Sequence, residues 1–333
     1  MRSCYAYKPY ATKSCFKTIS MNGDIFVRTI VPILLLIGAG SLSRKMKFLK
    51  AGDERILSAY VYYFALPALF FVNMVETDFT EEGTLRFMLA GIIPVLMVLA
   101  IYLFLHITFR FPKKTFYLLT LSTVFGSLAF FGIPFITFAF PPPMNGEHLA
   151  ALAAAAISPV SVTVSITMLE LYSLEEPTIW TGLKRVLKKL SRNPLILSIA
   201  SGVALSLLRL EIPAPISTSL HMLGGTTSTV AIFMLGVFLY GRKYTNLARA
   251  FGLSMLRMVF LPLVAFLTTM TLGLPNTETS TLVLMHAMPV AISMIVLSER
   301  YDFHKETVAS LILISSLGAG LYLNLWLLLL GYQ

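Results

Sequence analysis

Two prolines sit amid apolar residues, each accompanied by a few small polar side chains. In "FGSLAFFGIPFITFAFPPP", Phe125–Pro143, Gly126 and Ser127 precede Pro134 by about two turns, and Gly132 lies just before it. In "STLVLMHAMPVAISMIVLSERY", Ser280–Tyr301, His286 lies one turn before Pro289 and Ser293 one turn after it. These residue types suit recognition of an anion by neutral donors, with hydroxyls and freed backbone N–H groups doing the binding. His286 could contact substrate or relay protons, since imidazole titrates near pH about 6.5; the plainer reading is a neutral histidine bonded to a neighbouring carbonyl. The substrate-binding candidates are therefore Ser127, Gly132, Pro134, His286, Pro289 and Ser293. Gly126, Thr226, Thr227 and Ser228 are candidates to line the same cavity.

The missing chemistry is equally informative. Neither proline segment carries Asp or Glu within its apolar stretch, which disfavours sodium/proton antiport. No phosphate-cradling loop, His/Cys metal cluster or Ser/His/Asp arrangement is present, so neither an enzyme nor a cofactor is expected. Cys4 and Cys15, the two cysteines, both lie in the first twenty residues and frame no disulfide core.

Such residues need elements that hold them, and composition identifies the class. Of 333 residues 56% are hydrophobic and only 13% are charged, against about 25% charged in soluble domains. Continuous apolar runs favour membrane helices over an alternating barrel. Ten runs are bounded by charge or Pro/Gly: 25–43, 56–75, 85–109, 115–140, 148–172, 193–209, 215–240, 247–272, 279–298 and 306–330. Residues 1–20 form a basic, polar extension outside the fold, with Met21 a natural start. Residues 21–172 then make a first set of five helices and 193–333 a second. The linker 173–192, "SLEEPTIWTGLKRVLKKLSR", reads as a short amphipathic helix on the membrane surface.

Eighteen of the 26 basic residues fall in the odd-numbered loops, whereas the even loops hold only Arg86 and Arg209. The positive-inside bias puts the linker in the cytoplasm and both termini outside it, in the cytoplasmic (inner) membrane. The net charge of +10 is thus read as topology, not nucleic-acid binding. Arg28 and Arg257 count as intramembrane, yet each lies near enough to a span end to snorkel.

An odd number of spans per set makes the second set enter from the opposite side, as an inverted repeat. Pro32, Pro94 and Pro134 recur as Pro194, Pro262 and Pro289. Proline inside a helix removes a donor and clashes with the preceding turn, a larger cost where no water can satisfy the freed carbonyls. Paired interruptions in two halves point to a transport site, where half-helix N-termini attract an anion without a charged side chain. Pro134 and Pro289 are read as such breaks; Pro32, Pro67, Pro94 and Pro262 are read as kinks.

The motifs "VPILLLIGAGSLSRK" (Val31–Lys45), "YYFALPALFF" (Tyr62–Phe71), "FGSLAFFGIP" (Phe125–Pro134), "NPLILSIASGVALSLL" (Asn193–Leu208), "AIFMLGVFL" (Ala231–Leu239) and "MPVAISMIVLSERYDF" (Met288–Phe303) follow in order. Together they resemble the auxin efflux carrier family, bacterial and archaeal relatives of plant PIN carriers within the bile acid/anion transporter-like superfamily. The resemblance covers nearly everything from Met21 onward. It implies an all-α polytopic protein of the NhaA-like transporter fold, with ten helices in a five-plus-five inverted repeat and crossing broken fourth and ninth helices. It further implies a scaffold and a mobile transport domain working as an elevator, often in homodimers, on organic anions such as auxin-like acids or malate- and malonate-like dicarboxylates. Family members often place asparagine seven residues before the fourth-helix proline, where this chain has Ser127. Ser293 stands where the family often has asparagine or another small polar residue.

The expected function is secondary-active or facilitative transport of small organic anions across the bilayer. The alternative is a non-transporting membrane sensor or regulatory subunit that uses the same crossover.

Overall fold

The computed structural model describes residues 24–79, 82–141, 144–173, 184, 187–188, 191–241, 244 and 246–332. The N-terminal extension and most of the 173–192 linker helix lie outside these residues.

The described chain is helical throughout. The helices are α1 (Asp24–Lys45), α2 (Glu54–Glu76), α3 (Glu82–Phe109), α4 (Lys113–Val124), α5 (Leu128–Ala139) and α6 (Gly146–Ser173), followed by α7 (Pro194–Leu207), α8 (Ala214–Leu239), α9 (Leu247–Leu272), α10 (Asn276–Ala287), α11 (Met294–Tyr301) and α12 (Lys305–Leu329). Six of them, α2, α3, α6, α8, α9 and α12, are long and apolar enough to cross a membrane. Their outer faces expose large apolar side chains, among them Phe104, Ile107, Leu321 and Leu328, as a lipid-facing surface would.

The helices gather into two bundles. In the first, α8 packs on α1 and α2, and α2 packs on α7. In the second, α9 packs on α3, α10 and α12, while α6 packs on α3, α5 and α10. The bundles meet where α2 faces α6, and where α1 and α8 face α5. Glycines allow the tight α1–α8 crossing: a Cβ at Gly40 would collide with the Phe233 carbonyl, and one at Gly236 with the Ile37 carbonyl. Close backbone approach through small residues is the means by which helices associate where no hydrophobic driving force acts between them.

Proline is absorbed in two ways. Pro32, Pro94 and Pro159 lie inside unbroken α-helix. Pro67, Pro134 and Pro262 each follow a π-helical turn, Val61–Ala65, Leu128–Gly132 and Leu256–Phe260, by two residues. Widening the helix to i→i+5 bonding moves the carbonyl that the proline ring would strike and removes the need for its missing N–H. Pro134 therefore sits within α5, and Gly132 closes the π turn before it. The fourth apolar segment unwinds earlier, at Phe125–Ser127 between α4 and α5, whereas the ninth unwinds around Pro289 itself, at Met288–Ser293.

Candidate functional site

The two unwound segments cross and pair. Gly126 and Val290 form an isolated antiparallel bridge. The Ser127 amide donates to the Pro289 carbonyl at 2.8 Å, and the Ala291 amide donates to the Phe125 carbonyl at 3.0 Å. Val290 N–H, with no strand neighbour left, donates to Ser315 Oγ of α12 at 3.1 Å. An unpaired backbone group away from water costs several kcal/mol, so these bonds explain how the chain unwinds at this depth.

At the C-terminal ends of α4 and α10, three carbonyls accept hydrogen bonds from one side chain. Arg257, from the π turn of α9, is 1% exposed. Its Nε donates to Met288 O at 2.8 Å, and its Nη1 donates to Thr123 O at 2.6 Å and Val124 O at 3.1 Å. Nη2 is buried without a hydrogen-bond partner among the described residues. A Cβ at Gly126 would overlap this guanidinium, so a side chain there would displace Arg257 from its present position. Arg257 does not snorkel to an interface as its position in the span had suggested: three carbonyls hold it inward. Arg28 has no described side chain.

Beside the crossing lies a cavity of about 720 Å³ between the two bundles. Gly126, Ser127, Leu128, Ala129 and Phe130 of the fourth segment form one wall, with Ala291 and Ser293 of the ninth. Tyr62, Tyr63, Ser58 and Arg55 of α2 face them, and Ser158 and Asn193 complete the polar lining. Asn193 is fixed as the cap of α7, where its Oδ1 accepts the Leu195 amide at 3.0 Å.

The residues of this wall carry unused donors. The first-turn amides of α5, at Leu128, Ala129 and Phe130, make no backbone hydrogen bond among the described residues, and Ser127 does not cap them. Ser127 Oγ is itself buried with no partner among the described residues. Free N–H groups at a helix N-terminus favour negative charge.

The candidates read from the sequence divide accordingly. Gly126, Ser127 and Ser293 line the cavity. Pro289 contributes its carbonyl to the crossing and does not line the cavity. Gly132 and Pro134 are buried behind it, where a Cβ at Gly132 would fall 2.7 Å from Met285 Sδ. His286 is fully buried and its Nε2 pairs with Gly91 O at 2.9 Å, which is the plainer of its two expected roles. Thr226 pairs with the Tyr60 hydroxyl at 2.8 Å inside the first bundle; Thr227 is fully buried with no partner for its hydroxyl among the described residues; the side chain of Ser228 lies outside the described set. Neither Thr226 nor Thr227 lines the cavity. Sequence reasoning missed Arg257, Tyr62, Ser158 and Asn193. Only Arg257 carried a usable signal, since an ionisable residue inside an apolar span marks a functional site by default.

The sequence profile of the family described as "Membrane transport protein" matches residues 25–168 and 144–327. The chain is 22% identical over 307 residues to "Uncharacterized transporter YfdV" of Escherichia coli, covering 91% of this chain and 96% of that protein. It is 24% identical over 306 residues to "Putative malonate transporter" of Rhizobium meliloti, covering 86% and 90%. A third relative is "Uncharacterized transporter MJ1031" of Methanocaldococcus jannaschii, 24% identical over 314 residues, covering 89% and 96%. With its apolar helices and a profile match along nearly its whole length, the chain belongs to the membrane transport protein family, that of the auxin efflux carriers.

Proposed function

We propose that this protein carries small organic anions, carboxylates of the malonate, malate or auxin-like class, by secondary-active or facilitative transport. The observation that carries the reading is the cavity wall at Ser127–Phe130, a half-helix N-terminus whose first-turn amides and Ser127 hydroxyl have no partner among the described residues. A carboxylate there would accept several charge-assisted hydrogen bonds, each about twice as strong as a neutral one. The apolar and aromatic remainder, Leu128, Phe130, Tyr62 and Tyr63, suits a short carbon chain or ring. A relative named as a malonate transporter supports the same chemical class.

The reading extends to mechanism. The twelve helices correspond to ten spans, the fourth and ninth each broken in two, in an inverted five-plus-five repeat of the NhaA-like kind. Because α2 and α7 wall the cavity from one bundle and α5 and α11 from the other, sliding one bundle past the other would carry the crossing and its anion together, as an elevator does. Arg55 and Asn193, at the basic ends of α2 and α7, line the cavity, so this conformation faces the cytoplasm under the positive-inside rule.

The test is uptake into proteoliposomes from a panel of malonate, malate, succinate and indole-3-acetate, with and without an imposed voltage or proton gradient. Saturable uptake of at least one acid supports transport. Saturable binding without uptake would contradict it and mark a membrane sensor.

A further inference from the structure

Helix C-termini and unwound carbonyls are where broken-helix transporters hold inorganic cations. In this chain the C-terminal ends of α4 and α10 converge, and their negative dipole ends face each other across the crossing. The group between them is the Arg257 guanidinium, bonded to Thr123 O, Val124 O and Met288 O. No carboxylate bonds to it among these contacts, and it is fully buried, so the carbonyls and helix dipoles are its compensation. Removal of such a partner leaves several buried acceptors unpaired, a costly change. Gly126 has no side chain where the guanidinium passes, so the site is shaped on both sides for a planar, permanently charged group.

We propose that Arg257 is the resident cation of the crossing: a protein side chain occupies the position that a sodium ion would need, which closes that position to sodium. The inference goes beyond the transport reading and does not depend on which anion moves. It distinguishes Arg257 from a substrate ligand, because the guanidinium spends three contacts on backbone carbonyls.

The test is thermal unfolding of the purified full-length chain in sodium chloride and in choline chloride of equal ionic strength. Wild type and Arg257→Lys should unfold at the same temperature in both salts. Arg257→Gln should unfold lower by more than about 5 °C, and sodium or millimolar guanidinium ion should return part of the loss, which a purely structural defect would not show. A saturable, sodium-specific rise in the wild type overturns the proposal, and so does an Arg257→Gln protein that responds to neither cation. If Arg257→Gln cannot be purified, Gly126→Ala serves: its methyl group overlaps the guanidinium, and unfolding at the wild-type temperature would overturn the placement. None of these readings uses transport, so an absence of uptake would count against the proposed function alone.

Discussion

The Ser127 amide donates to the Pro289 carbonyl at 2.8 Å, joining two segments far apart in sequence at the point where both helices are broken. That bond, with its neighbour from Ala291 to Phe125, fixes where the Ser127 hydroxyl stands. The hydroxyl itself has no partner among the described residues, and its residue lines the cavity.

Ser127→Ala should accordingly leave the unfolding temperature nearly unchanged, since it breaks no bond within the protein. A hydrogen bond to a charged group is worth about 1.5–3 kcal/mol, so the apparent affinity for a transported carboxylate should fall about ten- to a hundredfold. Uptake kinetics and thermal unfolding of the same preparation check both halves.

His286 makes the opposite prediction. Its imidazole is buried against the Gly91 carbonyl, away from the cavity. His286→Leu should cost about 1–3 kcal/mol of stability, while the pH profile of uptake by the folded fraction stays as in the wild type. A flattened profile would instead identify His286 as a proton relay.

The α1–α8 crossing yields a matched pair of glycine substitutions. Gly40→Ala should destabilise, because the added Cβ meets the Phe233 backbone. Gly38→Ala, which has nothing within 4 Å, should be neutral or gain about 0.5–1 kcal/mol from helix propensity. Thermal unfolding of the two variants side by side decides it.

At the corner between α11 and α12, His304 has φ 39° and lies outside the spans. Burial, then the charges of Arg249 and Lys114, lower its pKa below the usual imidazole value. The folded protein therefore binds its proton less readily than the unfolded chain, and stability falls as pH drops below about 6.5. His304→Asn tolerates the left-handed backbone and carries no charge, so it should reduce this acid sensitivity. Unfolding temperatures at pH 7.5 and 5.5 measure the difference.

The long apolar helices were legible because a bilayer demands long apolar runs, and six of the described helices are long and apolar enough to cross one. The break at Pro289 was legible for the same reason: a proline interrupts an apolar span there. The fourth-segment break was misplaced, because Pro134 and Gly132 are the conspicuous breakers, yet a π turn absorbs them. The unwinding falls at Phe125–Ser127, where only Gly126 marks the chain. Its cause is the pairing with Val290 and the demand of Arg257 for carbonyls, both contacts distant in sequence. The cavity's far wall was illegible for a related reason: Tyr62, Ser158 and Asn193 reach it only through the packing of three separate helices.

The central claim is that the cavity beside the crossing is the route of the anion. The most direct measurement is malonate, malate, succinate and indole-3-acetate uptake into proteoliposomes by the wild type and by Ser293→Trp, whose indole would fill the cavity from a half-buried position on its wall. Saturable uptake of at least one acid by the wild type, abolished in a Ser293→Trp protein that unfolds at a near-normal temperature, is the predicted result. Equal uptake by the two proteins, or none by a folded wild type, would contradict the account.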